Sequence, residues 1–561
     1  MTEPRIKVRN RLSRRVIETA LLSLTLLAAL ALRLDGVDFG LPALNDPDEP
    51  LFMMTAFEML RNQSLNPGWF GHPATVTLYC LALVMLAVGG IGIATGRFAD
   101  ADAFAAAVYA DPGIVFLPAR LFIVACGVAC VYLTWRIGKR LGGAKTGLIA
   151  ALFLAVNAAA IEYSQIIRTD MQATAFMLLC ALCALAILNG GKLKHYLLAG
   201  VFVGLACATK WPAAVIGLSP LCAGLYRVAQ GHRERGCLGL FVLSSAVTLF
   251  LVSPFLLLDY PTVLENLSGE ARPIHPGATG GGFFDNLGWY IFGPLLSSLG
   301  AGGLLFAAIG LVWAPRGQRD WLVAVLPTVI AFVLMICLQA LRWERWIVPL
   351  LPFLAIAAAR GLSAVAHFVR TGVGGSVRRI ETLAALVLAL LMIQTARVEA
   401  VERTHDTRQI ASAWVRSHVP PGSTVLLEHA AFDLLQGPWT FRFPLASAGC
   451  VDAKAALSGR IRYSRVERLR SGSPIVDLGH VETELLSSCR ADYAILTHYD
   501  RYRENPGVYT TELGSYERIL AKGVVEATIR PRPGHSSGPV VRIVKLRPWS
   551  DGQFTTRSSS K

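Results

Sequence analysis

Apolar runs about twenty residues long recur along the first two thirds of the chain and stop near Arg397. A helix that crosses a bilayer needs about 20 predominantly apolar residues. Runs of this kind begin near Val16, Val115, Thr146, Met171, Tyr196, Pro212, Cys237, Leu287, Trp321, Trp346 and Ile380, which predicts eleven spans. One further run, 74–94, is also long enough, and its status decides the topology. With that run left out, the basic clusters Arg136/Lys139/Arg140/Lys145, Lys192/Lys194, Arg227/Arg233/Arg235, Arg316/Arg319 and Arg370/Arg378/Arg379 all share the side of the N-terminus. Counting it as a span would move every one of them to the other side. Short loops rich in Lys and Arg stay cytoplasmic, so 74–94 reads as a helix lying in or dipping into the outer interface.

Beyond Arg397 the pattern changes. Arg408–His418 has helical periodicity and is closed by Pro420-Pro421-Gly422. Alternating or apolar runs follow at Thr424–Leu427, Tyr493–Leu496, Val524–Ile529 and Val540–Leu546, the pattern of strands. The chain therefore divides into a polytopic α-helical membrane domain, 1–397, with a first outer loop at about 35–114, and an extracytoplasmic α/β domain, 398–561.

Composition agrees with that division. Of 561 residues 53% are hydrophobic and only 16% charged, with a mean hydropathy of +0.49. The net charge of +15 would suit nucleic acid, but its placement in short loops is that of membrane orientation. Six basic residues from Arg5 to Arg15 precede the first apolar run, in which Ala29-Leu30-Ala31 imitates a cleavage site. Cleavage would leave the acidic residues that follow with nothing to hold them, so the run reads as an uncleaved anchor. The 11 cysteines show no metal-binding spacing. Nine lie in apolar runs, whereas Cys450 and Cys489 can pair if their domain faces an oxidising compartment.

The topology gathers the polar residues on the outer side. Asn45-Asp46-Pro47-Asp48-Glu49-Pro50 puts three carboxylates within four residues, held in a turn by two prolines. With it come His72, Arg168, Asp170, Lys210, the Gly/Pro-rich loop 259–284 (a mobile lid or binding segment by composition), Arg342 and Arg345. Cations there suit a phosphate at the membrane surface, and a carboxylate suits removal of a proton from an attacking hydroxyl. Each residue also has a plain reading: Arg168 with Asp170 and Arg342 with Glu344 as structural pairs, Lys210 beside Trp211 as an interface anchor, His72 as a loop cap. No Gly-rich phosphate cradle is present, which disfavours a nucleotide donor.

In order, Asp48-Glu49, His72-Pro73, Ala119-Arg120-Leu121, Arg168-Thr-Asp170, Gly204-Leu-Ala-Cys-Ala-Thr-Lys210 and Arg345-Trp-Ile-Val-Pro-Leu-Leu-Pro352 resemble the polyprenyl-phosphate-dependent glycosyltransferases of the GT-C superfamily. The branch is family 39, the protein-mannosyltransferase-like and aminoarabinose-transferase-like enzymes. Ala413-Trp-Val, Val419-Pro-Pro-Gly-Ser, Asp492-Tyr-Ala-Ile-Leu and Val540-Val-Arg-Ile-Val resemble that branch's soluble domain. The resemblance implies a GT-C fold and inverting transfer of a sugar from a polyprenyl-phosphate donor on the outer face of the inner membrane. The acceptor would be a lipid, polysaccharide or protein. It implies Asp48 as general base with Glu49 beside it, and Asp170 as a second outer carboxylate. Lys210, Arg342, Arg345, Arg168, His72 and Asp46 would then bind donor phosphate or substrate. No cofactor is implied and no metal is indicated, although relatives outside the branch use a divalent ion. The sequence departs from the family in having Ala74 where a second proline is common after His-Pro. The rival class is a transporter or flippase for a lipid-linked glycan, which would place ionisable groups at mid-bilayer and show paired, interrupted helices. Here they cluster at span ends.

Overall fold

The computed structural model describes residues 3–270, 273–275, 277–373, 377–428, 433–454 and 477–547, with backbone alone for 3–14 and at 370–379. The side chains of Arg5, Lys7, Arg9, Arg11, Arg14, Arg370, Arg378 and Arg379, and all of Arg272, lie outside that description.

The helices are α1 Glu3–Leu34, α2 Glu49–Arg61, α3 Thr75–Ala94, α4 Ala101–Ala110, α5 Gly113–Gly142, α6 Ala144–Ala155, α7 Ala158–Gln165, α8 Asp170–Leu188, α9 Leu193–Thr209, α10 Leu218–Ala229 and α11 Arg235–Val252. They continue as α12 Phe255–Leu258, α13 Tyr260–Glu270, α14 Phe283–Tyr290, α15 Leu296–Val312, α16 Gln318–Ala324, α17 Leu326–Cys337, α18 Leu351–Val373, α19 Val377–Thr404 and α20 Thr407–His418. Two compact units result: Met1–Val37 with Leu51–Ala400, and Asp38–Pro50 with Val401–Lys561.

Among the described residues nine helices are long and apolar enough to cross a bilayer, or up to eleven if each of two bent pairs is one span. The bent pairs are α6 with α7 (59°) and α16 with α17 (42°). The chain is a multi-pass membrane protein. The membership of the count differs from the sequence reading. At 17 residues α9 falls short, while α3, with 20 residues and a mean hydropathy of 2.3, is long enough. Two contacts fix what α3 connects. Lys139 at the end of α5 pairs with Glu18 near the start of the apolar span of α1 (Arg15–Leu34) at 2.6 Å, and Arg120 near the start of α5 donates to the Val37 carbonyl at 2.8 Å. Helices α1 and α5 are therefore antiparallel, and the segment between them begins and ends at the same end of the bundle.

That end is laced together by its loops. Asn66 donates to Asp259 (2.9 Å), the Phe70 amide to Asn266 (2.7 Å), Trp211 to the Phe70 carbonyl (3.3 Å) and the Gly280 amide to the Ala340 carbonyl (2.7 Å). The loop read from its glycines as mobile thus contains α13 and carries hydrogen bonds to neighbouring segments at both of its ends. Opposite lie the basic turns, with Lys145 on Glu381 (2.6 Å) and Arg227 on Glu234 (2.6 Å).

The second unit holds a six-stranded sheet of β1 Thr424–Leu427, β2 Thr440–Leu445, β3 Gly449–Asp452, β4 Tyr493–Leu496, β5 Gly523–Ile529 and β6 Val541–Leu546. The spatial order is β3-β2-β1-β4-β6-β5, with β1 parallel to β2 and β4 and the remaining pairs antiparallel. Alternate residues feed two cores: Leu426, Ala494 and Val544 on one face, and Val425, Leu427, Ile495 and Ile543 on the other, under Ala411 and Val415 of α20. Strands β2 and β3 escape the sequence reading because Pro444 interrupts one and Gly449 opens the other. Cys450 and Cys489 form a disulfide.

Where β1 and β4 end side by side, Glu428 is buried. It accepts from the amides of Leu478, Thr497 and His498 and from the hydroxyls of Thr497 and Tyr516. Beside it Asp477 accepts from Tyr502 and His480. Burial pushes the Asp477 carboxyl up, but the His480 hydrogen bond, the charges of His498 and His480 and the Tyr502 hydroxyl together hold it below its ordinary value. The stabilisation is present above the ordinary carboxylate pKa of 3.8 and is lost as pH falls through the lower folded-state value. Glu428→Gln turns an acceptor oxygen into a donor facing donors and should cost about 1–3 kcal/mol, read as a lower melting temperature of the intact protein. In wild type the same transition should move down only below about pH 4.

Candidate functional site

Asp170 is the first residue of α8, and Lys210 follows the last residue of α9. These two neighbouring helices bring the carboxylate and the ammonium into a buried ion pair, with side chains 3% and 5% exposed. An unpaired charge buried to this degree would cost several kcal/mol, so each group requires the other. Arg168 stands two residues before α8, and together with Asp170 and Glu344 it lies within electrostatic range of the Tyr163 hydroxyl on α7. Glu344 opens a 3₁₀ turn, Glu344–Leu350, that packs against α7 and α8. Sequence reading set Arg342 against Glu344 or Arg345; in the structure Glu344 lies on a turn packed against α7 and α8.

Arg342 and Arg345 flank that turn. Arg342 lies over Trp289 with its guanidinium carbon 5.1 Å from the ring centre, and Arg345 lies over Trp343 at 5.2 Å. His275 meets Trp343 edge to face at 4.8 Å. The aromatic faces hold the two guanidinium groups by cation–π contact.

His72 packs against Trp69 (5.7 Å between ring centres) and Phe52 (6.5 Å). The departure at Ala74 has a physical reason here. Its φ is +52°, outside the range open to proline, and its amide donates to the Thr209 carbonyl at 3.2 Å, a bond proline lacks. That bond ties the start of α3 to the residue before Lys210. A second tie, Thr77 to Gln172 at 2.6 Å, joins α3 to the first turn of α8. Neither Thr77 nor Gln172 stood out in the sequence, since both are single polar residues in apolar runs.

The carboxylates of the acidic run belong to the second unit. Asp46 Oδ1 accepts from the Asp48 and Glu49 amides (3.0 and 3.3 Å) and so starts α2. Glu49 is fully buried and Asp48 half-buried. The turn is anchored by Asn45, whose side chain exchanges two hydrogen bonds with Gln409 (2.7 and 3.0 Å), while Arg408 donates to the Asn45 carbonyl (2.9 Å). Nothing in the local sequence announces this pairing.

Among the described residues no three His, Cys, Asp or Glu side chains converge as metal ligands.

Residues 102–258 match the family described as dolichyl-phosphate-mannose-protein mannosyltransferase. In structure the chain is similar to ArnT from Cupriavidus metallidurans in the apo state, at a TM-score of 0.54 and 16% identity over 94% of this chain and 98% of that one. Against the same protein bound to undecaprenyl phosphate the TM-score is 0.51 at 14% identity, over 95% and 98% of the two chains. The oligosaccharyltransferase of Archaeoglobus fulgidus, tethered with an acceptor peptide, matches at 0.49 and 12% identity over 94% and 74%. No curated protein matches the sequence. The chain has the GT-C fold, as the sequence resemblance implies.

Replacing Lys210 alone leaves Asp170 buried without its cation. Lys210→Met should destabilise the solubilised protein by about 3–5 kcal/mol, and Asp170→Asn added to it should recover most of the loss. Thermal melts of the two single variants and the double variant check this.

Proposed function

We propose that the protein is an integral-membrane glycosyltransferase that moves a sugar from a polyprenyl-phosphate donor to an acceptor hydroxyl or phosphate, with inversion at the anomeric carbon. The observation that carries this reading is the buried Asp170–Lys210 pair on a GT-C fold, with Arg168 two residues before Asp170 and the Glu344 turn packed against α8. An ammonium held at a helix end by a carboxylate is a fixed charge. It needs no reorganisation when a phosphate leaving group gains charge. The relative ArnT is known bound to undecaprenyl phosphate, which supports a polyprenyl phosphate as the carrier.

In this mechanism the acceptor oxygen forms a bond to the anomeric carbon as the bond from that carbon to the phosphate oxygen breaks. Asp48, with Glu49 beside it, takes the proton of an attacking hydroxyl. Asp46 orders their backbone through its two hydrogen bonds. Lys210, Arg168, Arg342 and Arg345 stabilise the departing polyprenyl phosphate, and Asp170 keeps Lys210 in place. His72 lies on the substrate side. The donor is already activated as a glycosyl phosphate, so no cofactor enters the reaction.

The reaction belongs on the outer face of the inner membrane. Basic turns crowd one end of the bundle and the Asp170–Lys210 pair lies at the other, which supports a cytoplasmic N-terminus. The Cys450–Cys489 disulfide supports an oxidising compartment for the carboxyl-terminal domain, 398–561. The acceptor is a lipid, polysaccharide or protein of the cell envelope.

Purified wild type and Asp48→Asn should be compared on a panel of polyprenyl-phosphate sugars. Loss of transfer by about 10²- to 10⁴-fold with donor binding retained is the expected result. Movement of a lipid-linked glycan across vesicles without donor consumption would instead favour the transporter. Full transfer by Asp48→Asn would shift the base to Glu49, Asp46 or Asp170.

A further inference from the structure

Arg33 sits at the end of α1 and is wholly buried. All of its hydrogen bonds stay inside the helical unit. Nη1 donates to the carbonyls of Ala29 (3.1 Å) and Ala155 (3.0 Å), Nη2 to the carbonyl of Leu154 (3.2 Å), and Nε to the Ser164 hydroxyl (3.1 Å). Three of these four partners lie on the bent α6–α7 pair, one arm contributing Leu154 and Ala155 and the other Ser164.

The bend is why the guanidinium is needed. In a continuous helix the Leu154 and Ala155 carbonyls would receive amides four residues on. The 59° turn withdraws those amides: the Leu154 carbonyl is left with the amides of Val156 and Asn157, the latter at 3.5 Å, and a buried carbonyl short of good donors is costly. Arg33 supplies the missing donors. Asn157 starts the second arm by accepting from the Ala160 amide (2.9 Å) and donates to the Ser298 carbonyl (2.9 Å). Gly127 of α5 makes the room: a Cβ there would stand 2.2 Å from the Ser164 hydroxyl and 3.0 Å from Arg33 Nε. At the far end of α7, Gln165 donates to the carbonyls of Arg33 (3.0 Å) and Asp35 (2.6 Å). Two buried isoleucines, Ile166 and Ile167, then lead directly to Arg168, Thr169 and Asp170.

We propose that Arg33 is a positioning residue for the transfer reaction: its guanidinium clamps both arms of the α6–α7 bend and so sets where Arg168 and Asp170 stand. This rests on the glycosyltransferase reading for its functional half; its structural half does not. Arg33 reaches no substrate and acts through the chain it holds.

The test uses the full-length protein in detergent. The variants are Arg33→Met, Arg33→Lys and, as a control, Arg360→Met, which removes another buried guanidinium bonded to the Gly310 and Arg316 carbonyls at the opposite end. Arg33→Met should lower kcat about 10- to 100-fold with donor KM little changed, the size of effect that displacing a reacting group by about 1 Å produces. Arg33→Lys should restore part of that loss, while Arg360→Met lowers the melting temperature and leaves kcat alone. Hydrogen exchange should rise in Arg33→Met over residues 158–173 and not elsewhere in the bundle. Unchanged kcat, an equal loss in Arg360→Met, or a rise in exchange spread over all helices would overturn the proposal. If wild type transfers no sugar, exchange alone decides: a local rise keeps the clamp and rejects only the reaction, and no local rise rejects the clamp.

Discussion

Inside a bilayer no water receives a backbone amide or carbonyl, and wherever a helix breaks some side chain must do so. The helical unit meets this constraint at three of its interruptions. Arg33 and Asn157 serve the break between α6 and α7. Arg360 serves the turn from α15 to α16, and Asn286 serves the Cys337 and Gln339 carbonyls where α17 ends. The cost of an unserved group is why such polar residues are tolerated in otherwise apolar helices. Breaks of this kind let a membrane bundle turn its chain at the level where polar chemistry is needed.

Much of this was legible in the sequence. Apolar run length located the helices, loop charge predicted that residues 35–114 begin and end on one side, and two strands, Thr424–Leu427 and Tyr493–Leu496, were placed to the residue. The reason is that burial on both faces leaves an unbroken apolar signal, as in Tyr-Ala-Ile-Leu. Strand β2 carries a proline and a half-exposed arginine, so its pattern is that of a loop until a neighbour is present. The ties of α3 to its neighbours and the helicity of α13 were likewise invisible. Both depend on hydrogen bonds from residues distant in sequence, Thr209 and Gln172 for the first, Asn66 and Phe70 for the segment around the second.

The site was legible as residue types and not as partnerships. Asp170 and Lys210 were each recognisable as charges at span ends, yet that one holds the other follows only from the packing of α8 on α9. Arg33 did not stand out in the sequence, being a single cation at the end of an apolar run. Glu428, the most heavily hydrogen-bonded carboxylate of the sheet unit, has no motif around it. Its meaning comes from lying where two parallel strands end together.

The attachment of Asn45 to Gln409 has a consequence for how the protein is made. The two residues are 364 positions apart, so during synthesis the acidic turn leaves the ribosome long before the helix that anchors it exists. Through that interval residues 38–50 have no native partner for Asn45, and closing so long a loop must wait for the last domain. A chain ended before Val401 would lack Arg408 and Gln409, the residues that anchor the carboxylate turn. The acidic turn is thus among the last parts of the protein to be completed, although it is among the first to be made.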